Sequence, residues 1–426
     1  MNSTQSPAQT NTKPALHGVK IKQRKGVQKA QAKHEPEVFR DQLLQQLNTV
    51  DKDNFDEITA RLDAAGNTLE YRKYADSLFE ILITGGIVEP GGIVSDNAER
   101  SSFSIFSAPE DAESIKQHVN VFNKVIRRYK YLQRSLEDTL KHVLQFINKW
   151  QFAENNKLAM ATGYIITSQL TNVSILKVLL KDYLVKDGAS LEFATSVFRT
   201  ILSEQSIDQF GKMLINTGMD AKLIELFPPN KREEDCLARH FEAEDMKQLV
   251  GFHQKNLKDS IKDEFMVKLK DMMSEEAKPN EVATYVKQIM KENGLNEPEA
   301  IQIVWMSVLG TIDLINARPD QVEIQALRAI KGWAPVLEAF TSSPKTELVL
   351  LQKVQISCYE DAKLTKFFRQ IVQVLYKHDV LSDNAIIFWA DKAHKPQGKT
   401  VFLKQMEAFV KWLRENEDSS EEEDDE

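Results

Sequence analysis

The sequence predicts an all-α fold: an α-solenoid of HEAT-like antiparallel helix pairs arranged in two modules. Three observations point there. Gly (16) and Pro (13) are scarce in 426 residues, and a chain of strands needs more turn formers than that. Apolar residues recur at helical spacing in segments of roughly ten to twenty residues with short breaks between them. No such segment can bury its apolar face alone, and stacked helix pairs solve that problem. No strict internal repeat is present, so the pairing is degenerate.

Residues 1–34 carry seven Lys/Arg and no acid, with few large apolar groups. Such a segment cannot bury enough surface to offset its ordering entropy, so it reads as a disordered basic leader. A second reading gives residues 13–33 a weak contact with RNA or the ribosome. No aromatic residue is interleaved there, so base stacking is not indicated. A zipper after the leader is not supported. Steps of seven from Leu43 reach Val50, Glu57 and Ala64, and the heptad ends after one step.

The first module spans residues 35–230. Phe39, Leu43, Leu44 and Leu47 share a helical face, then Phe55, Ile58 and Leu62, and a third run covers Leu69–Ile83. Gly85, Gly86, Pro90, Gly91 and Gly92 break the pattern, and a loop is expected to continue through Ser107, with Pro109 opening the next helix. Helices follow over 110–130, 131–150, 151–170, 173–186, 190–204 and 206–217, and Pro228 and Pro229 close the module. Residues 231–244 read as a charged helical connector. The second module, 245–415, holds helices over 245–273, 280–293, 297–315, 319–332, 334–341, 344–357, 361–377, 382–393 and 399–414. Pro279, Pro298, Pro319, Pro335 and Pro344 sit near helix starts, where a missing N–H costs least. Asn293–Gly294 is a good stop. Residues 416–426 form an acidic tail.

Composition narrows the function classes. Two cysteines, Cys236 and Cys358, and eight dispersed histidines supply no metal site and no disulfide framework. No apolar run spans a membrane, and the N-terminus lacks a signal-peptide core. A soluble, cytoplasmic, monomeric protein without a cofactor is expected. Catalytic signatures are missing, so a catalytic residue set is not assigned. Residues 393–400 (AHKPQGKT) fit a permissive phosphate-loop pattern. A helix precedes them and only about 26 residues follow, too few for a nucleotide-binding sheet. They read as a turn between helices.

The end of the chain carries the functional signal. Trp389 and Trp412 lie in the last two helices, and nine of the twelve residues from Glu415 onward are acidic. Phe402, Met406, Phe409, Val410 and Leu413 form one apolar stripe, with Trp412 at its edge beside Ala408. Ile386, Ile387 and Ala390 supply the buried side of the preceding helix. Clustered carboxylates attract a lysine-rich segment, and aromatic rings give apolar area to its stems. Ser419 and Ser420 precede Glu422 and Glu423 by three residues, the spacing that acid-directed kinases read. Phosphorylation there would add charge to the same surface.

The pattern I-I-F-W-A-D (386–391) followed by F-V-K-W-L-R-E-N-E-D (409–418) resembles the two aromatic/acidic boxes of translation initiation factor five. The same boxes close the epsilon subunit of the exchange factor for initiation factor two. Over its whole length the chain resembles the initiation-factor-five mimic family, also called basic leucine zipper and two-tryptophan domain proteins. The resemblance implies two helical solenoid modules and a non-enzymatic regulator of translation initiation. Such a protein competes with factor five for the lysine-rich segment of the beta subunit of initiation factor two and for initiation factor three, altering start-codon stringency. It places Trp389, Asp391, Trp412, Glu415, Glu417 and Asp418 on the boxes, and Glu421, Glu422 and Glu423 extend their charge. Factor five itself carries a zinc-ribbon GTPase-activating module, for which this chain has no cysteines. Two alternatives stay open: nucleotide exchange on initiation factor two by the C-terminal domain, and an RNA-binding scaffold using the leader.

Overall fold

The computed structural model describes residues 34–94, 100–275, 277–313 and 318–423; in 319, 320 and 417–423 only the backbone is described. The basic leader therefore lies outside the described residues, and so do Asp424, Asp425 and Glu426. The contacts divide the chain after Val250 into two units.

The first unit contains α1 (Pro36–Leu47), α2 (Phe55–Thr68), α3 (Ala75–Thr84), a hairpin of β1 (Val88–Glu89) and β2 (Ile93–Val94), α4 (Ala112–Arg128), α5 (Leu132–Leu144), α6 (Phe152–Thr167), α7 (Asp182–Lys186), α8 (Ala189–Glu204), α9 (Ile207–Thr217) and α10 (Glu234–Ala243). From α2 to α8 the main helices pack chiefly on the next but one. The series α2, α4, α6, α8 forms one layer and α1, α3, α5 the other. This alternation is the signature of stacked helix pairs. The most extensive of these contacts, α6 on α8, needs Gly163, because a Cβ there would lie 2.7 Å from the Thr200 side chain.

The second unit repeats the arrangement. It contains most of α11 (Lys247–Ser274), then α12 (Pro279–Asn293), α13 (Glu297–Gly310), α14 (Pro319–Glu338), α15 (Pro344–Glu360), α16 (Phe368–Lys377), α17 (Asp383–Phe388) and α18 (Lys399–Glu423). Helices α12, α14, α16 and α18 pack in one series, α13, α15 and α17 in the other. One continuous core runs from Phe265 to Leu413.

Several local expectations are corrected. The segment expected as a loop through Ser107 holds the small antiparallel hairpin, Val88 opposite Val94. Beyond it, Phe103 and Ile105 are buried. The backbone N–H groups of Ser101, Ile105 and Phe106 donate to Gly85, Leu82 and Ile83 carbonyls, satisfying the open C-terminus of α3. The stretch Val173–Leu180 is a 3-10 helix, apolar on most sides and buried, followed by the short α7. Helices expected on either side of Pro335 are one helix, α14, with Pro335 inside it. Proline there costs about 3 kcal/mol, but Ile330, Ala334, Val336 and Leu337 are all buried around it, and their packing outweighs the loss. Residues 231–244, expected as a charged helical connector, are helical but packed on the first unit. They form α10, whose Leu237 and Phe241 are buried, with Phe241 against Phe198 and Phe227. The charged run Glu233–Asp235 is only its first turn.

Candidate docking surface

Helix α15 holds the organising residue of the second unit's end. Gln355 is fully buried, and its side-chain amide makes four hydrogen bonds. Its Oε1 accepts from the Trp389 indole N–H at 2.9 Å and from the Lys395 backbone N–H at 3.0 Å. Its Nε2 donates to the carbonyls of Lys395 (2.8 Å) and Gln397 (2.6 Å). A buried amide is stable only with such complete pairing. Gln352 adds a hydrogen bond to the Ala393 carbonyl at 2.6 Å. The turn that resembles a phosphate loop is thus fastened by its own backbone to α15, not open as an anion cradle. Gly398 then enters α18 at φ 67°, and a Cβ there would lie 2.3 Å from the Phe402 ring.

Trp389 is accordingly a core residue. It opens a single π-helical turn after α17, is fully buried, and meets Phe368 at 5.4 Å between ring centroids. The expectation that it contacts a partner is corrected: the ring is enclosed and its one donor is spent on Gln355. The apolar side of α17 is Ala385 and Ile386, while Ile387 and Ala390 are half-buried.

Trp412 is the opposite case. It is 47% exposed on α18 and stacks on Phe409 at 5.8 Å, with Tyr376 of α16 edge-on to both rings. These three aromatics line a surface cavity of about 450 Å³ with Ala408, Gln373, Arg369 and Lys377. The cavity floor is aromatic and its α16 rim is basic. Tyr376, Arg369 and Lys377 escaped the sequence reading. Their signal was present, since 369, 373, 376 and 377 fall on one face of a helix.

The acidic residues separate into two groups. Asp391 faces Arg414 at 2.5 Å, tying the π-turn to α18, and both side chains are about half exposed. Glu415 lies 3.7 Å from Lys411, one turn back. Their charge is locally offset. Glu417, Asp418, Glu421, Glu422 and Glu423 continue along the backbone of α18, as do Ser419 and Ser420, and their side chains lie outside the described residues. The tail expected from residue 416 is therefore a helical extension through Glu423. Of the residues expected at the dock, Trp412 lines the cavity between α16 and α18, Asp391 and Glu415 pair with Arg414 and Lys411 of α18, and Trp389 is enclosed in the core.

Comparisons with known proteins bear on the same elements. A family model described as eIF4-gamma/eIF5/eIF2-epsilon matches residues 346–423, which cover α15 to α18. A model described as the 5MP1/2 HEAT domain matches residues 21–263. Human eIF5-mimic protein 1 is 39% identical over 417 residues, 97% of this chain and 99% of that protein. Zebrafish (Danio rerio) eIF5-mimic protein 2-A is 38% identical over 418 residues, 98% and 99% respectively. The chain belongs to the eIF5-mimic protein family. In this member, the aromatic cavity and the Gln355 clamp both lie inside the matched C-terminal region, and the stacked helices of the first unit lie inside the 5MP1/2 HEAT match. Among the described residues no cluster of His, Cys, Asp and Glu could hold a metal ion, and no helix is long and apolar enough to cross a membrane.

Proposed function

We propose that the chain is a cytoplasmic, non-enzymatic regulator of translation initiation that competes with initiation factor five. The observation that carries the reading is the pairing of two family matches in one chain: an eIF5-type end and a 5MP1/2 HEAT front. A protein with that end and that front offers the same dock without the front half of factor five. The partners are the lysine-rich segment of the beta subunit of initiation factor two, and initiation factor three. The consequence is altered start-codon stringency.

The geometry supports a division of labour within the dock. Asp391 and Glu415 already face cations, so attraction for lysines falls to Glu417, Asp418 and Glu421–Glu423 on the helical extension. The Trp412, Phe409 and Tyr376 cavity takes an apolar side chain of the same segment. Trp389 supports the surface from below. Phosphorylation at Ser419 or Ser420 would add charge to the extension and tighten binding.

A salt-resolved titration with the lysine-rich segment tests this, using the full chain, a truncation after Arg414 and the variant Trp412→Ala. Binding that weakens with salt and falls in both variants supports the dock. Retention of full affinity by the truncation moves the dock elsewhere. Accelerated release of labelled GDP from initiation factor two would overturn the non-enzymatic reading, and affinity unchanged by phosphatase treatment would remove the role of Ser419 and Ser420.

A further inference from the structure

The first unit carries a concentrated positive surface where α4 turns into α5. Arg127 and Arg128 lie in the last turn of α4, Lys130 is in the turn itself, and Arg134 is in the first turn of α5; all four are exposed. The turn before α3 brings Arg72 and Lys73 to the same place: the Arg72 guanidinium sits 4.4 Å from the Tyr131 ring centre, and Lys73 lies 4.9 Å from the Tyr74 ring. Two cations in a last helical turn are ordinary, because they complement the helix dipole. Six on one small area are not, since like charges repel. Asp63 offsets Arg128 at 3.4 Å and Asp138 offsets Arg134 at 3.8 Å. Arg127 and Lys130 have no acidic partner within ion-pair distance among the described residues.

Aromatic rings are interleaved with this charge. Tyr129 and Tyr131 alternate with Arg128 and Lys130, their rings 6.1 Å apart, and Tyr131 is 37% exposed beneath Arg72. Tyr129 is held firmly. Its hydroxyl donates to the Asp63 carbonyl at 3.0 Å, and it meets Tyr71 edge-on at 5.6 Å. The chain also enters the fold here: His34 stacks on Tyr74 at 5.1 Å, and the Glu35 N–H donates to the Tyr74 hydroxyl at 3.2 Å.

We propose that this Arg72, Lys73, Arg127–Arg134 surface binds the phosphate backbone of single-stranded RNA. Exposed cations give affinity by contacting phosphates and releasing their counterions. Tyr131, with a guanidinium already stacked on it, extends a planar surface onto which an unpaired base can stack. An acidic protein segment would use the cations but not the stacked tyrosine. No side chain in the patch is arranged to read a base edge, so binding is tolerant of sequence. This site is separate from the C-terminal dock, and its failure would leave that dock intact.

The test is fluorescence anisotropy of the full chain with a labelled twenty-nucleotide uridine RNA, at several salt concentrations. Three variants are compared: R127E/K130E, R127Q/K130Q, and K20Q/K22Q/R24Q/K25Q in the leader. The expected result is a loss of at least about tenfold in affinity for R127E/K130E, a salt slope shallower by about 1.4 for R127Q/K130Q, and ultraviolet crosslinks on Tyr129 or Tyr131. Both patch pairs are exposed, and matching melting curves confirm their folding; the milder pair serves if the charge reversal unfolds the chain. Patch variants that bind like the parent overturn the proposal. So does a loss confined to the leader variant, or tighter binding to a polyglutamate peptide than to RNA at equal salt.

Discussion

Gln355 and Trp389 form a pair whose removal is costly for different reasons. Trp389→Ala empties a packed site beside Phe368 and costs about 3–5 kcal/mol. Gln355→Leu keeps the volume but strands the indole N–H and the Lys395 N–H, at about 1–3 kcal/mol for each buried group left unpaired. Thermal unfolding should show both losses. Trp412→Ala removes a half-exposed ring and should shift the melting temperature little, while weakening the lysine-rich segment about tenfold. A drop in melting temperature as large as that of Trp389→Ala would show that Trp412 is structural. The cysteines differ in the same way. Burial pushes the Cys358 thiol up to about 12, and Cys236 is only half-buried. Alkylation of the native protein should therefore modify Cys236 and spare Cys358. Exposure of the two tryptophans could not be read from sequence. Both lie on or beside apolar helical stripes, and what separates them is the tertiary cover: α15 and α16 enclose Trp389, while Trp412 stays half exposed.

Among the elements, the hairpin after α3 has a titratable support. Glu80 accepts from the Val88 N–H at 3.1 Å, and burial raises its carboxyl from an ordinary 4.5 to about 7. Between those two values the folded chain keeps a proton that the unfolded chain has lost, so stability declines across the window and levels off above it. Glu80→Gln should be more stable than the parent at pH 8, on the order of 1 kcal/mol after allowance for solvent screening. Denaturant melts should show the difference close as pH falls to 4.5. A difference that does not vary with pH would show that Glu80 is ionised throughout. Most helices were legible because α4, α5, α9 and α16 follow simple apolar spacing, and two of them carry local caps, Asp111 on the Ser114 N–H for α4 and Ser206 on the Gln209 N–H for α9. The exceptions depend on distant partners. The buried stretch from Ser101 to Phe106 owes its shape to α3 carbonyls, and α14 survives Pro335 through packing that no local rule describes. The basic face of α16 could be read from its spacing, but not that α18 packs beside it to close the aromatic cavity.

At the scale of the whole molecule, a chain of net charge −8 carries both a cationic surface and an acidic helix end. The cationic surface belongs to the first unit and the acidic helix end to the second. If each binds its own ligand, a saturating lysine-rich peptide should leave RNA affinity within about twofold, and calorimetry should find both bound at once. Competition between them would show that one surface serves both. Increasing salt should weaken both interactions, by counterion release at one site and by screening at the other.

The unequal burial of the tryptophans has an optical consequence. The chain contains five: Trp305 and Trp389 are fully enclosed, Trp150 and Trp333 are half-buried, and Trp412 is the one classed as exposed. Acrylamide should therefore quench Trp412 first, with its emission the furthest to the red. A ligand that enters the α16–α18 cavity would shield that ring and shift emission to the blue. Intrinsic fluorescence thus reports occupancy of the dock without a label, and Trp412→Phe would silence the signal while keeping an aromatic ring in place.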